Sequence, residues 1–463
     1  MHTTRQFAEF VHQINFADVG KEVIEKAKLS FIDTIGCCIG GYGTDIAKIL
    51  LNVFGPMGGK EESTVLGGGE KFPCMHAAFV NANLSMILDL DDVWHLGSIG
   101  IAHPAQSTIP TALAVGEKVG ASTKDIITAA IVGYEMDVRF AKAIEPRQDS
   151  VYSYGTHQAL GATITAAKLL ELNQEEICHA LGIAAAHAPV PSTMDMWCFK
   201  AEQRPASWVR DAAGGCALVG VQSALLAKEG FRGCPRVLDK EVGFWKLAGS
   251  DHYEEEEIIK NLGNNYAIET PTLKLYPSCF FNHGALEGVR LIMEEEPLRI
   301  EEIQEIEVRV PTKYAKNFDY YPPRSHIDTA SSIRYLIAML LKTKVPSSSW
   351  YSDYEKYLQL EEVNSIAAKT KIIGDDDLDN LLKEKGKFHT IVVIITTKRK
   401  FHKTIEYIKG HPKLPLSKEE IKNKFTALSG PVIGDRNASL ALQKLESLES
   451  LASVNDLIAV LHR

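Results

Sequence analysis

Through most of the first 268 residues, apolar side chains recur every three or four positions, the period of a helix that turns one face to a core. Residues 23–36 (VIEKAKLSFIDTIG) carry this pattern. Segments 155–172, 178–188 and 212–230 repeat it with a high density of alanine and glycine, which lets helix axes approach closely. Gly230, just ahead of Phe231-Arg-Gly-Cys-Pro235, reads as a helix terminator. The apolar run 82–88 is expected to be helical and to lead directly into a polar stretch that begins at Asp89.

The period changes near Thr270. Residues 305–311 alternate polar and apolar, as a half-buried strand does. Segment 389–398 is rich in β-branched residues and predicts another strand. Segments 284–295 and 333–341 read as helices, so strands and helices interleave and predict an α+β unit over 269–405. Two prolines in 410–417 mark a linker, after which helical periodicity returns through Leu461. Segments 347–351 and 374–377 read as loops. A chain of 463 residues exceeds the ~250–300 residues at which one core stops growing. The expected fold is therefore mainly α with an inserted α+β domain. The helical domain is built from both chain ends (1–268 and 406–463), and the smaller 269–405 unit is set between them.

Composition narrows the function classes. A net charge of −9 argues against non-specific nucleic-acid binding, yet leaves room for a locally cationic pocket. The eight cysteines form no CxxC pair, and the N-terminal residues are too polar for a secretory signal, so a reduced, cytoplasmic setting is expected. No uncharged apolar stretch reaches the ~18–20 residues of a membrane span.

Chemistry is densest between Asp89 and Pro104, where Asp89, Asp91, Asp92, Trp94, His95 and His103 follow the apolar run. Acids and bases held against apolar surface move towards neutral pKa values, which makes proton transfer practicable. The ordinary alternative is a solvated helix end.

The order and spacing of several pieces resemble the MmgE/PrpD family, that of 2-methylcitrate dehydratase, cis-aconitate decarboxylase and iminodisuccinate epimerase. These pieces are residues 31–36, Asp89-Leu-Asp-Asp-x-Trp-His95 with His103-Pro104, 161–170 and 224–231. Lys274-Leu-Tyr-Pro-Ser-Cys279 and Gly410-x-Pro-x-x-Pro-Leu-Ser417 complete the set. The resemblance implies a homodimer, an inserted α+β lid over a helical body, and no metal or organic cofactor. It also implies a cleft between domains that takes small di- or tricarboxylic acids.

Such reactions move a proton on carbon next to a carboxylate or imine, which needs an acid/base group and cations for the developing charge. His103 is the first candidate for acid/base work, with a cap on a helix or loop as its ordinary alternative. Asp89 matches the first Asp of the family motif and is expected to orient an imidazolium or receive a substrate hydroxyl. Asp91 and Asp92 read as structural, and Trp94 as packing. A family histidine aligns with Tyr152, and His157 lies about one helical turn further on, so both join the catalytic candidates. Arg210 replaces a usual family lysine with a permanent, forked carboxylate clamp. Lys274, His283, Tyr320, His95 and Cys279 complete the substrate-binding candidates. Tyr321, Arg324 and His326 cluster with Tyr320, while Lys200 and Arg204 read as solvated loop cations. Val93 stands where the decarboxylases carry threonine, which argues against decarboxylation in particular.

The leading reading is dehydration of a 2-methylcitrate-like hydroxy acid, ahead of epimerisation of an imino- or amino-dicarboxylate. Cis-aconitate-type decarboxylation ranks lower. A metal-dependent hydrolase using Asp89, Asp91, Asp92, His95 and His103 lacks an established zinc spacing. A non-catalytic ligand-binding homologue completes the set.

Overall fold

The computed structural model describes residues 2–148 and 151–463. Helices dominate the N-terminal part: α1 (Lys21–Tyr42) and α2 (Cys74–Met86), then a hairpin of β1 (Asp92–Leu96) and β2 (Ile99–Ala102). Next come α3 (Ala105–Val119), α4 (Thr123–Ala143), α5 (Tyr154–Leu169), α6 (Gln174–His187) and α7 (Ala213–Lys228). The small residues do what their density predicted. A Cβ on Gly220 of α7 would lie 2.5 Å from the Ala162 side chain of α5, so glycine is what allows these two helices to touch.

The polar stretch does not simply continue the helix of 82–88. α2 stops at Met86, and the chain then forms β1 and β2, paired antiparallel around a turn. Asp92, Val93 and His95 are buried and Leu96 exposed, so β1 is held by packing rather than solvated as a helix end would be. The two-residue strand β3 (Thr272–Leu273) adds to β1, with Asp92 opposite Leu273.

Beyond it lie α8 (His283–Glu295), β4 (Ile303–Val310), α9 (Ile333–Thr343), β5 (Thr370–Gly374), α10 (Asp376–Lys385), β6 (Thr390–Thr396) and β7 (Lys400–Ile405). Their four-stranded sheet has the order β7-β6-β4-β5, antiparallel except for the β4/β5 pair. The fold is mainly α with an α+β part. Two segments expected as loops are ordered. Ser349–Ser352 is a helical turn that buries Trp350, whose indole donates to Thr343 at 3.1 Å. Gly374 ends β5, and Asp375 caps α10 through its carboxylate, a standard N-cap whose signal lay in the acidic run.

After the proline-marked linker, α11 (Lys418–Ile433) and α12 (Asp435–Glu446) return to the first helices. Phe425 of α11 packs against Gly36 of α1. The linker itself is pinned: Gly410, at φ +99°, accepts from Leu273 N, and a Cβ there would lie 2.0 Å from Leu273 O.

Apolar side chains form two cores. One gathers Phe7 through Leu273 together with Leu416–Leu461, and the other gathers mainly residues between Tyr276 and Phe401. Ile87, Leu88 and Leu90 belong to the second core, whereas α2 just before them packs in the first. The acidic segment is thus threaded between the two cores. Among the described residues, no helix is long and apolar enough to cross a membrane.

Candidate active site

Asp89 sits at a backbone position that few side chains adopt. Its φ is +54°, in the left-handed region that Asp tolerates better than most residues, and its amide bonds Met86 O at 2.9 Å. This turn ends the α2 run and aims the carboxylate at two cations. Arg210 Nη1 donates to Oδ2 and Lys274 Nζ to Oδ1, both at 2.6 Å, with all three groups buried. Burial opposes the Asp89 charge, but the two cations outweigh it and hold the carboxyl below its ordinary range. Lys274 is likewise opposed by burial and held above its usual range by Asp89 and Asp91.

His103 follows β2 and is oriented from one side. Its Nδ1 lies 2.7 Å from Asp91 Oδ2 and 2.7 Å from Asp92 O. Both neighbours are acceptors, so Nδ1 carries the proton and Nε2 is the nitrogen left for exchange. Gln106, in the first turn of α3, donates to the same Asp91 oxygen at 2.6 Å, and Lys274 reaches Asp91 Oδ1 at 3.3 Å. Burial disfavours the imidazolium, yet the Asp91 hydrogen bond and the charges of Asp211 and Asp91 win, pushing His103 up to about 9. The group enters neutral pH as an acid. Asp91 itself stays ionised despite burial because Lys274 and His103 face it.

This reassigns the expected roles. Asp91 orients the imidazole and Asp89 holds the cations. Asp92 is scaffold: it accepts from Tyr134 at 2.7 Å and from Ala105 N at 3.2 Å. Its burial and the Asp91 charge, against the Tyr134 hydrogen bond, raise it to about 7. Trp94 packs as expected and donates to Ala267 O at 3.1 Å.

Asp89, Val93, His103, Arg210, Lys274 and Cys279 line one cavity with Tyr154, Asp211 and an aromatic wall of Trp197, Phe199, Phe280 and Phe281. The enclosed free volume is about 40 Å³, a narrow space bounded by cations, one imidazole and aromatic rings. Arg210 Nε is buried in this wall without a hydrogen-bond partner among the described residues. A buried guanidinium donor left unpaired is costly, and a carboxylate is the group that satisfies it best. Cys279 is a neutral thiol, pushed up to about 12 by burial and the Asp89 charge, so it is no resting nucleophile.

The remaining expected site residues lie behind this lining. Tyr152 packs on Trp197 with ring centres 4.5 Å apart, and Tyr154 takes the cavity position, its hydroxyl donating to Gly100 O. His157 is fully buried, 2.6 Å from Asp137 and edge-on to Tyr154. His95 bonds Thr272 at 2.9 Å and lies against Phe280; burial and the neighbouring His411 keep it neutral. His283 bonds Ser278 O and is lowered to about 3 by burial and then by Lys274. Tyr320 lies under the Arg204 guanidinium, 4.7 Å from its ring centre. Arg204 is not solvated: it is buried against Asp328 at 2.9 Å, whereas Lys200 is an exposed partner of Asp195.

Asp211, Gln106 and Tyr154 escaped sequence reasoning. Asp211 adjoins Arg210, and Gln106 lies two residues past the His103-Pro104 step, both of which were singled out. Lys424 of α11 was also unmarked. Its ammonium donates to Asp33 Oδ1 at 2.7 Å, Leu90 O at 2.5 Å and Lys274 O at 2.9 Å. One C-terminal lysine thereby fixes α1 and the backbone beside Asp89, Asp91 and Lys274.

The metal-hydrolase reading loses its ligands to this pattern, since Asp89 is saturated by cations and Asp91 by His103 and Gln106. Among the described residues, only His2, Asp239 and Glu241 bring three ligand atoms within 4.8 Å of one another. There Asp239 already serves Thr4 and Arg236.

Comparison with known proteins covers most of the chain. Residues 5–256 match the MmgE/PrpD N-terminal domain and residues 276–447 the MmgE/PrpD C-terminal domain. Cis-aconitate decarboxylase of Homo sapiens is 25% identical over 474 aligned positions, covering 99% of this chain and 94% of its own. The protein of that name from Aspergillus terreus (strain NIH 2624 / FGSC A1156) is 25% identical over 488 positions, covering 99% and 96%. The mitochondrial 2-methylcitrate dehydratase of Yarrowia lipolytica (strain CLIB 122 / E 150) is 24% identical over 370 positions, covering 73% and 66%.

Proposed function

The chain belongs to the MmgE/PrpD family, and from that premise we propose that it is a lyase acting on a small di- or tricarboxylic acid. The preferred reaction is dehydration of a 2-methylcitrate-like hydroxy acid. One observation carries the reading: an imidazolium fixed by Asp91 shares a cavity with the unpartnered Nε–H of Arg210 and with Lys274. Elimination of water needs a proton for the departing hydroxyl, and His103, at about 9, holds one at neutral pH. Arg210 receives a substrate carboxylate, and Lys274 stabilises charge that develops as the adjacent carbon loses its hydrogen. The aromatic wall excludes water and strengthens both interactions. These steps draw on side chains alone.

The second reading within the lyase class is decarboxylation of a cis-aconitate-like acid. It is favoured by relatives of that name that span 99% of this chain, and by an apolar wall on which a carboxylate loses its solvation. Val93, which offers no hydroxyl, argues against it. Epimerisation of an imino- or amino-dicarboxylate is the third reading; it needs two acid/base groups on opposite faces of one carbon. We read the assembly as a homodimer and the 269–405 segment as a lid, to be checked by light scattering and by limited proteolysis with and without ligand.

The test is incubation with 2-methylcitrate while monitoring ultraviolet absorbance. A conjugated alkene signal supports dehydration. Release of carbon dioxide from cis-aconitate with no change in 2-methylcitrate selects the second reading instead.

A further inference from the structure

The cavity contains an acid at rest, so elimination requires a separate base. Three of the four nearby carboxylates are spent. Asp89 is held at 2.6 Å by both Arg210 and Lys274. Asp91 is taken by His103, Gln106 and Lys274. Asp92 bonds Tyr134 and Ala105 N and lies outside the lining. Asp211 differs: it lines the cavity, and among the described residues its carboxylate has one hydrogen bond, a long 3.4 Å contact from Gln106 Nε2.

Its backbone is also fixed. Asp211 O accepts from Cys216 Sγ at 3.9 Å, Arg210 O accepts from the Trp197 indole at 3.3 Å, and Ala212 opens α7 at φ +57°. A non-glycine residue in that region is held by its surroundings, here at the joint that presents Arg210 and Asp211 together. Arg210 and Asp211, consecutive in the chain, both line the cavity.

We propose that Asp211 is the general base of this site, a role that rests on the lyase reading above. Asp211 takes the proton from the carbon adjacent to the bound carboxylate. The C–H electron pair forms the new C=C bond, the C–O bond breaks, and His103 gives its proton to the departing hydroxyl, which leaves as water. Substrate becomes alkene plus water, and solvent returns the proton from Asp211 to His103. Gln106 spans the two partners, bonding Asp91 behind the acid and Asp211 at the base.

The experiment follows 2-methylcitrate and its hydroxyl-free analogue butane-1,2,3-tricarboxylate by proton NMR in deuterated water, with wild type, D211N, D211E and H103Q. The analogue cannot eliminate, so its hydrogen exchange reports the base alone. Expected are wild-type exchange, a loss of ~10²–10⁴-fold in D211N, partial recovery in D211E, and exchange retained in H103Q. KM for 2-methylcitrate should change less than kcat in D211N. If Asp211 serves only as a counter-charge, D211N lowers the His103 titration midpoint and exchanges as wild type does; that result overturns the assignment while leaving the lyase reading intact. A wild type that neither exchanges nor eliminates overturns both.

Discussion

Replacing Asp91 by Asn leaves an isostere beside His103 and removes the charge that keeps it protonated. The imidazole stands at about 9 against its ordinary ~6.5, a difference worth ~3 kcal/mol in favour of the imidazolium. With Asp91 neutral, burial and the Lys274 charge still oppose protonation, while the Asp211 charge and the Asp92 carbonyl still support it. The midpoint should then drop to ~6.5 or below. At pH 7.5 the protonated fraction falls from ~97% to ~10% or less, so turnover falls at least ~10-fold from protonation alone. The wild-type rate should decline above pH about 9, and in D91N that limb should move down by ~2.5 pH units. Because the folded value is raised, the linked stability is fully present below pH ~6.5 and is lost as pH rises through about 9. NMR titration of isotopically labelled His103 reads the midpoint directly, and the pH–rate profile reads its consequence. An unchanged midpoint in D91N would refute the claim that Asp91 sets the acid.

H103Q should lower turnover by ~10²–10⁴-fold while preserving substrate binding, measured by calorimetry; near-full activity removes His103 from proton transfer. Arg210→Met deletes the buried donor facing the cavity and should raise KM at least ~10-fold for a tricarboxylate, whereas an unchanged KM places the carboxylate elsewhere. Lys424→Met strands Asp33 in the interior and should cost ~3–5 kcal/mol in urea unfolding; a loss under ~1 kcal/mol would mean that Lys424 does not hold the chain ends together. Dialysis against a chelator should leave turnover unchanged, since Asp89 is committed to two cations and Asp91 to His103, Gln106 and Lys274, leaving Asp211 as a single uncommitted carboxylate of the lining; recovery only on adding back a divalent ion contradicts this.

The helices and the principal strands were legible because burial on one face imposes a period on the sequence. The hairpin β1–β2 was not, since its five and four residues follow an apolar helical run and their polar groups are satisfied only by distant partners. His103, Asp89, Arg210 and Lys274 could be singled out by residue type and motif. Their pairing could not. Asp91 meets His103 only because the hairpin folds back, and Lys274 meets Asp89, 185 positions away, only because β3 joins β1. Tyr152 and His157 show the other limit, since residues next to a motif share its neighbourhood without facing its cavity. Tyr154 faces it because α5 begins there.

The most direct test of the central claim is to incubate wild type and H103Q with a panel of hydroxylated di- and tricarboxylic acids and follow both by proton NMR. Wild type should convert at least one hydroxy acid to its alkene, and H103Q, folded and still binding that acid, should do so at least ~100-fold more slowly. Equal conversion by both proteins, or none by wild type with any acid of the panel, would contradict it.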